Sequence, residues 1–376
     1  MSSQDFVRSL PQWNRLGGPR RLVRVHLDPW LLLLLLSVIG FGLVVLYSAL
    51  EQNQAAFNTQ LMRLGLALVV MLVAAQLEPR FFLRWSPWFY VLGIGLLVLV
   101  LFMGVSVKGA QRWLDLPGLP RFQPSELLKL AVPMTIAWYL NDRPLPPRFR
   151  YLCVALLILA LPSMLIAMQP DLGTAILVTA AGLTVIFLAG LQWRWILGAG
   201  AVAMAALPAL WMAMHDYQRQ RVLTLFDPER DPLGAGWNII QSKTAIGSGG
   251  LTGKGLFQGT QSHLDFLPES QTDFIIAVVA EELGLIGISV LLLLYLLIIA
   301  RCLYIATHAP STFGRLVAGA VTLTFFVYVF VNIAMVAGLL PVVGVPLPLI
   351  SYGGTSAITL LAGFGILMSI HTHRGW

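Results

Sequence analysis

Apolar runs long enough to cross a lipid bilayer recur along the whole chain, and they leave little freedom of architecture. A spanning helix needs roughly 17–25 mostly apolar residues. Ten stretches meet that need, at about 30–49, 57–77, 86–104, 123–140, 151–169, 172–191, 195–214, 274–300, 315–338 and 349–370. In hydrocarbon each backbone N–H and C=O must be satisfied inside the protein, so only helices or closed barrels qualify. The short alternating strands of a barrel are missing. Hydrophobic residues make up 57% and charged residues 11% of the chain, against about 25% charged in soluble domains. The expected fold is an all-α polytopic membrane protein, with about ten transmembrane helices and one large loop.

Arginine sets the orientation. The polar leader 1–29 carries Arg8, Arg15, Arg20, Arg21 and Arg24. Alternate connections carry Arg80 and Arg84; Arg143, Arg148 and Arg150; Arg194; Arg301 and Arg315; and finally Arg374. The intervening hairpins near Glu51, Asp171 and Pro341 hold no Lys or Arg, and only the loop 105–122 is basic on that side. The positive-inside rule then makes both termini cytoplasmic. The tails 1–29 and 372–376 flank a membrane domain 30–371, whose long connection 215–273 lies on the opposite, periplasmic side. The net charge of +7 sits in short connections, so it reads as a topology signal and no nucleic-acid partner is expected. Cys153 and Cys302 lie in or beside apolar spans and read as buried thiols without a disulfide. The first span is long enough to stay in the membrane, so no cleaved signal is expected.

Acids in such spans call for explanation. In "PESQTDFIIAVVAEELG" Asp273 opens span eight at its outer mouth. The 18 residues Leu283–Ala300 alone cover about 27 Å. That puts Glu281 and Glu282 near the outer lipid boundary, with Asp273 roughly 12 Å beyond Glu281. On a helix Asp273 would share a small-sided face with Ala277, Ala280 and Gly284. In "RFQPSELLKLAVP" Pro124 suits a first helical turn, while Glu126 and Lys129 are three apart and face one way. A charge at that depth is costly unless paired or facing water. Asp171 of "MQPDLGT" heads span six, and Arg219 and Arg221 of "HDYQRQR" open the long connection.

All four groups fall on one side of the membrane. Taken singly, each also has a plainer reading. Asp273 and Asp171 suit helix caps, Glu126–Lys129 a structural ion pair, Glu281 and Glu282 helix packing, and the arginines lipid phosphates. His371 and His373 have an H-x-H spacing, but on an exposed tail they are not expected to bind metal. "GSGGLTGKG" imitates a Walker loop, yet it lacks the required Gly at Ser248 and Ser or Thr at Gly255. Its run of N–H groups could still cradle a phosphate.

Two function classes fit acids and cations at an outer membrane surface. A transporter should spread ionisable groups through the bilayer toward a midplane site, and the inner halves of these spans are nearly uncharged. An enzyme working without nucleotides would need a donor that already carries its leaving group, such as a lipid-linked pyrophosphate sugar. A carboxylate would then act as general base on the acceptor hydroxyl.

The set "KGAQRWLDL", "RFQPSELLKLAVP", "QPDLGT", "HDYQRQR", "DPLGAGWNIIQSK", "AIGSGGLTGKG", "FLPESQTDFIIAVVAEELG" and "PVVGVPLPLISYGGTS" resembles the SEDS (shape, elongation, division and sporulation) family, essentially from His26 onward. "HDYQRQR" and the "HTHR" tail favour its elongation branch. The leader before His26 offers no match. The resemblance implies a peptidoglycan glycosyltransferase that polymerises lipid II at the outer face of the bacterial inner membrane. It implies as partners a class B penicillin-binding protein transpeptidase and other membrane proteins of the elongation complex.

It maps the essential acid onto Asp273 and an accessory pair onto Glu126 and Lys129. Asp171, Arg219, Arg221, Lys243, Glu281 and Ser351 complete the accessory or substrate-binding candidates. Asp273 would take the proton from the 4-hydroxyl of the acceptor N-acetylglucosamine. That oxygen would attack the donor N-acetylmuramic acid at its anomeric carbon with inversion, releasing undecaprenyl pyrophosphate. A divalent cation, Mg or Mn, is the one cofactor left open, and no nucleotide is expected. The alternatives are a lipid II flippase and a non-catalytic scaffold for the transpeptidase.

Overall fold

The computed structural model describes residues 26–107, 110–115, 121–169, 171–214, 219–220, 223–225, 227, 235–260, 269–342 and 344–373. Its helices are α1 (Pro29–Ala49), α2 (Gln54–Gln76), α3 (Pro79–Met103), α4 (Pro124–Asn141), α5 (Phe149–Met168), α6 (Leu172–Leu188), α7 (Trp193–Ala213), α8 (Ala235–Gly249), α9 (Ile275–Thr307), α10 (Thr312–Val336) and α11 (Thr355–Thr372). Each of the ten expected spans coincides with one of them. Seven (α1, α2, α3, α5, α9, α10 and α11) are long and apolar enough to cross a membrane. The chain is therefore a multi-pass membrane protein. Of the others, α4 carries the Glu126–Lys129 pair, α6 is a shorter apolar helix, and α7 is 21 residues long.

Local chemistry sets the starts. Asp28, Asn53, Asp171 and Ser311 each accept a backbone N–H of the first turn of α1, α2, α6 and α10, and prolines open α1, α3 and α4. α4 and α10 are the most enclosed helices, burying Leu128, Val132, Ile136, Phe313, Val317 and Phe325. Apolar residues such as Trp88, Phe102, Leu157 and Leu296 remain on the outer surface. Lipid tails suit them as well as a core would, so close packing has to hold the helices together. Gly365 of α11 shows how close: a Cβ there would collide with the Met71 carbonyl of α2.

Both described ends of the chain meet at one end of the bundle. The His26 ring stacks on His373 with centroids 3.7 Å apart. Asp28, fully buried, accepts from Arg301 Nη2 at 2.6 Å and lies 3.4 Å from His371 Nε2. Asp273 and the starts of α4 and α6 lie at the other end, as the alternation of helices requires. Cys153 and Cys302 are both free thiols, Cys302 buried and Cys153 exposed.

Three features depart from the sequence reading. The segment after α3 forms an antiparallel hairpin, β1 (Val105–Val107) with β2 (Ala110–Trp113), extended by a bridge between Leu114 and Phe122. The long connection contains the fifteen-residue helix α8, which packs on α9. Asp273 precedes α9 in a run of turns, so it has no helical face to share with Ala277. Residue type could not fix that start to within two residues, because an Asp at the polar-to-apolar step reads equally as the first helical residue or as one just before it.

The largest departure is inside α9. Gly284 has φ 64° and ψ −159°, which breaks the helix, a conformation essentially confined to glycine. Two helical bonds are lost there, from Leu285 N to Glu281 O and from Ile286 N to Glu282 O. The glycine-rich loop after α8 replaces them. Leu285 N donates to Gly250 O at 3.0 Å and Ile286 N to Leu251 O at 3.1 Å. In return Lys254 N donates to Glu281 O at 2.9 Å and Gly255 N to Glu282 O at 3.0 Å. Glu281 and Glu282 are consequently fully buried, where the sequence reading put them at the lipid boundary.

The approach is so close that a Cβ on Gly249, Gly253 or Gly284 would collide with the backbone across the joint. Gly284→Ala is expected to destabilise the protein by about 1–3 kcal/mol from its backbone conformation alone, with the collision added. A lowered thermal midpoint in detergent, against an unchanged midpoint for Gly40→Ala in open space, checks it.

Candidate functional site

Asp273 is half-buried, and its position is fixed through backbone anchors on three sides. Asn332 of α10, itself fully buried, donates from Nδ2 to the Asp273 carbonyl at 2.8 Å and to the Val345 carbonyl at 2.7 Å. Ser351 donates to the Thr272 carbonyl at 2.5 Å and accepts from Leu347 N at 2.7 Å. Tyr352 N donates to Gln271 O at 2.8 Å. The glycine- and proline-rich stretch before α11 thus forms a wall beside the acid. At Gly344 (φ 74°) an added Cβ would stand 3.5 Å from Asp273 Oδ2.

Gln60 of α2 clamps the same wall. It donates to Ser351 O at 3.4 Å and Gly353 O at 3.3 Å, and accepts from Gly353 N at 3.2 Å. Arg63, one turn on, lies 5.1 Å from the Tyr352 ring centroid.

A second group centres on α4. Lys129 Nζ meets Glu126 Oε1 at 2.6 Å, both side chains nearly buried, and stands 5.1 Å from the Tyr328 ring centroid. Glu126 Oε2 is buried with no hydrogen-bond partner among the described residues, as is Thr324 Oγ1. Lys129, Thr324 and Tyr328 border a narrow cavity of about 20 Å³ between α4, α10 and α11, continued by Pro133, Val321, Leu360 and Gly363. It is water-sized, with one cationic end and an apolar remainder.

Asp171 is a joint. It accepts from Gln123 Nε2 at 2.6 Å and from Thr174 N at 3.3 Å, and lies 3.4 Å from Arg112 Nη1. It therefore ties the β-hairpin to the starts of α4 and α6. Arg219 donates to the Trp211 and Met212 carbonyls at 2.9 and 2.6 Å, which caps the end of α7. Arg221 lies outside the described residues. Lys243 of α8 is exposed and lies over Gly338, where a Cβ would stand 2.5 Å from its Cε.

Glu281 Oε1 accepts from Lys254 Nζ at 2.7 Å, Thr260 N at 2.8 Å and Thr260 Oγ1 at 3.1 Å. Glu282 Oε1 accepts from Ser48 Oγ at 2.6 Å. The phosphate cradle expected in "GSGGLTGKG" does not form. The N–H of Gly253 is taken by Gly249 O, and those of Lys254 and Gly255 by the broken helix.

Among the described residues no three His, Cys, Asp or Glu side chains converge as a metal site. Gln60, Asn332, Gln123, Arg112 and Lys254 escaped the sequence reading. Asn332 had a usable signal, since it is an isolated amide in an apolar span.

Comparisons with known proteins show the family. The family model for the FtsW, RodA and SpoVE cell cycle proteins matches residues 29–375. The chain is 56% identical to the peptidoglycan glycosyltransferase MrdB of Escherichia coli K12, over 93% of this chain and 95% of that one. It is 38% identical to the probable peptidoglycan glycosyltransferase FtsW of Trichlorobacter lovleyi, over 94% and 95%. Among solved structures, one chain comes from a peptidoglycan synthase complex studied for the coordination of polymerization and crosslinking. It aligns with TM-score 0.82 at 33% identity, covering 93% of this chain and 98% of that one. The rod shape determining protein RodA of Thermus thermophilus aligns with TM-score 0.71 at 30% identity, over 97% and 100%.

The fold and its partly open, acid-bearing end thus define a polytopic membrane protein of the SEDS class. More particularly, the chain belongs to the FtsW/RodA/SpoVE family.

Glu126→Ala and Lys129→Ala should each cost roughly 3–5 kcal/mol, because each strands its partner's charge. The double change should cost less than the sum, read as thermal midpoints in detergent.

Proposed function

We propose that the peptidoglycan glycosyltransferase activity of this chain runs through Asp273 as general base, with lipid II as both donor and acceptor. The observation that carries the reading is the anchoring of Asp273. The carbonyls of Gln271, Thr272 and Asp273 are held by Tyr352, Ser351 and Asn332, while the residue stays half-exposed beside Gly344. A carboxylate fixed in this way, yet reachable, suits a proton acceptor better than a structural cap. It takes the proton from the acceptor's N-acetylglucosamine 4-hydroxyl. The oxygen attacks the donor's anomeric carbon with inversion, the C–O bond to the pyrophosphate breaks, and undecaprenyl pyrophosphate carries away the electron pair. One base suffices, since an inverting displacement forms no covalent enzyme intermediate.

Lys129 of α4 offsets charge on the departing pyrophosphate. A divalent cation, Mg or Mn, would have to be held chiefly by the pyrophosphate oxygens of the substrate, since Asp273 is needed as the base. When bound, it would supply further charge neutralisation.

The site reading works only if Asp273 faces the periplasm, with the tails 1–29 and 372–376 in the cytoplasm of a bacterial inner membrane and the connection 215–273 outside. The arginine distribution supports this orientation. A class B penicillin-binding protein transpeptidase is the partner this reading implies, supported by the peptidoglycan synthase complex among the similar structures.

Asp273→Asn should abolish lipid II polymerisation by the purified protein, with the thermal midpoint unchanged. Glycan strands formed at the normal rate would remove Asp273 as base. In cells, a cysteine at position 273 should react with a membrane-impermeant maleimide added from outside. Labelling only after the inner membrane is opened would overturn the orientation.

A further inference from the structure

The break in α9 comes two to three turns after Asp273, in a chain that has every apolar residue needed to continue the helix. Its repair is elaborate. Four backbone bonds cross the gap, and three glycines make room for them. Beside those bonds sits an ion pair buried on one side. Glu281, fully enclosed, spends one carboxylate oxygen on Lys254 and on the backbone and hydroxyl of Thr260. Lys254, whose side chain is 28% exposed, also donates to Thr260 Oγ1 at 2.8 Å. Next to it Glu282 takes Ser48 of α1, whose oxygen also accepts Phe257 N at 3.2 Å. The short leading piece of α9, Ile275 to Leu283, is thereby braced by the loop 250–260 and by α1, at the end where it joins the rest of the helix.

That leading piece has Asp273 at its head. Asn332, Ser351 and Tyr352 hold the backbone of 271–273 from one side. Nothing in the helix below can fix its tilt, because Gly284 interrupts the hydrogen-bond ladder. We infer that Lys254 and Glu281 are positioning residues for the glycosyl transfer: they clasp the loop into the helix break and so set the direction of the Asp273 carboxylate. Neither touches substrate. Glu281, read from the sequence as an accessory substrate contact, has this role instead, and Lys254 joins it. The inference rests on Asp273 as the base.

The test uses the full-length protein purified with its transpeptidase partner, with lipid II turnover followed across substrate concentration. Lys254→Met is the informative change, because Lys254 is partly exposed and its loss removes the side-chain clasp without deleting a donor or acceptor of the four backbone bonds. It should lower kcat by about ten- to a hundredfold, the scale on which a small misplacement of a reacting group acts. KM should stay within about twofold, as expected when only transition-state alignment suffers. Lys254→Arg should recover most of the rate.

Hydrogen exchange should rise at Lys254, Gly255, Leu285 and Ile286 in Lys254→Met while the α4 and α10 amides stay protected. Glu281→Gln should reproduce the kcat loss, and the double variant should be little worse than either single one. Wild-type kcat in Lys254→Met would overturn the inference, as would a change in KM alone or failure of Lys254→Arg to recover the rate. An active Asp273→Asn would instead overturn the base assignment, so the two readings fail separately.

Discussion

Every peptide group in a lipid-embedded chain needs a partner inside the protein, and this obligation governs the region around the acid. A continuous α9 would meet it without help. The chain instead breaks at Gly284 and recruits a second segment to accept and donate what the helix gave up. An unsatisfied group at that depth would cost several kcal/mol, so the loop cannot drift from the break without exposing four of them. The "GSGGLTGKG" composition follows from this. Its glycines are the residues that let one backbone lie against another, and the same need explains why its N–H groups are unavailable to a phosphate.

The same economy holds the acid in place. Asn332, Ser351 and Tyr352 act on the main chain of 271–273, which leaves the carboxylate on a partly open surface. Gln60 reaches the same wall from α2, and Asp171 joins the hairpin to α4 and α6 on the neighbouring side. Most of the polar side chains at this end thus bond to backbone or to each other. The Lys129 cavity differs: it combines a cation and an orphaned hydroxyl, that of Thr324, with apolar walls.

The helical segments and their placement were legible because bilayer thickness imposes a length that sequence displays directly. The accessory pair Glu126–Lys129 was legible for a related reason: opposite charges three residues apart in an apolar helix have one economical arrangement. The role of Glu281 was not, since nothing in "AEELG" shows that a loop some thirty residues earlier folds back on it. Asp273 was singled out by residue type and by resemblance, yet its conformation was misjudged, because an Asp at a polar-to-apolar step reads equally as the first helical residue or as one just before it. Arg219 illustrates a third limit: an arginine beside a helix end serves that end's carbonyls as readily as a ligand.

The closure of the chain's two ends on each other bears on biogenesis. Asp28 leaves the ribosome 273 residues before Arg301, and His371 follows later still. Until then Asp28 caps the first helix as a solvated anion, and its burial waits on the packing of α9 and α11. The contact between the two described ends is thus a late event of assembly.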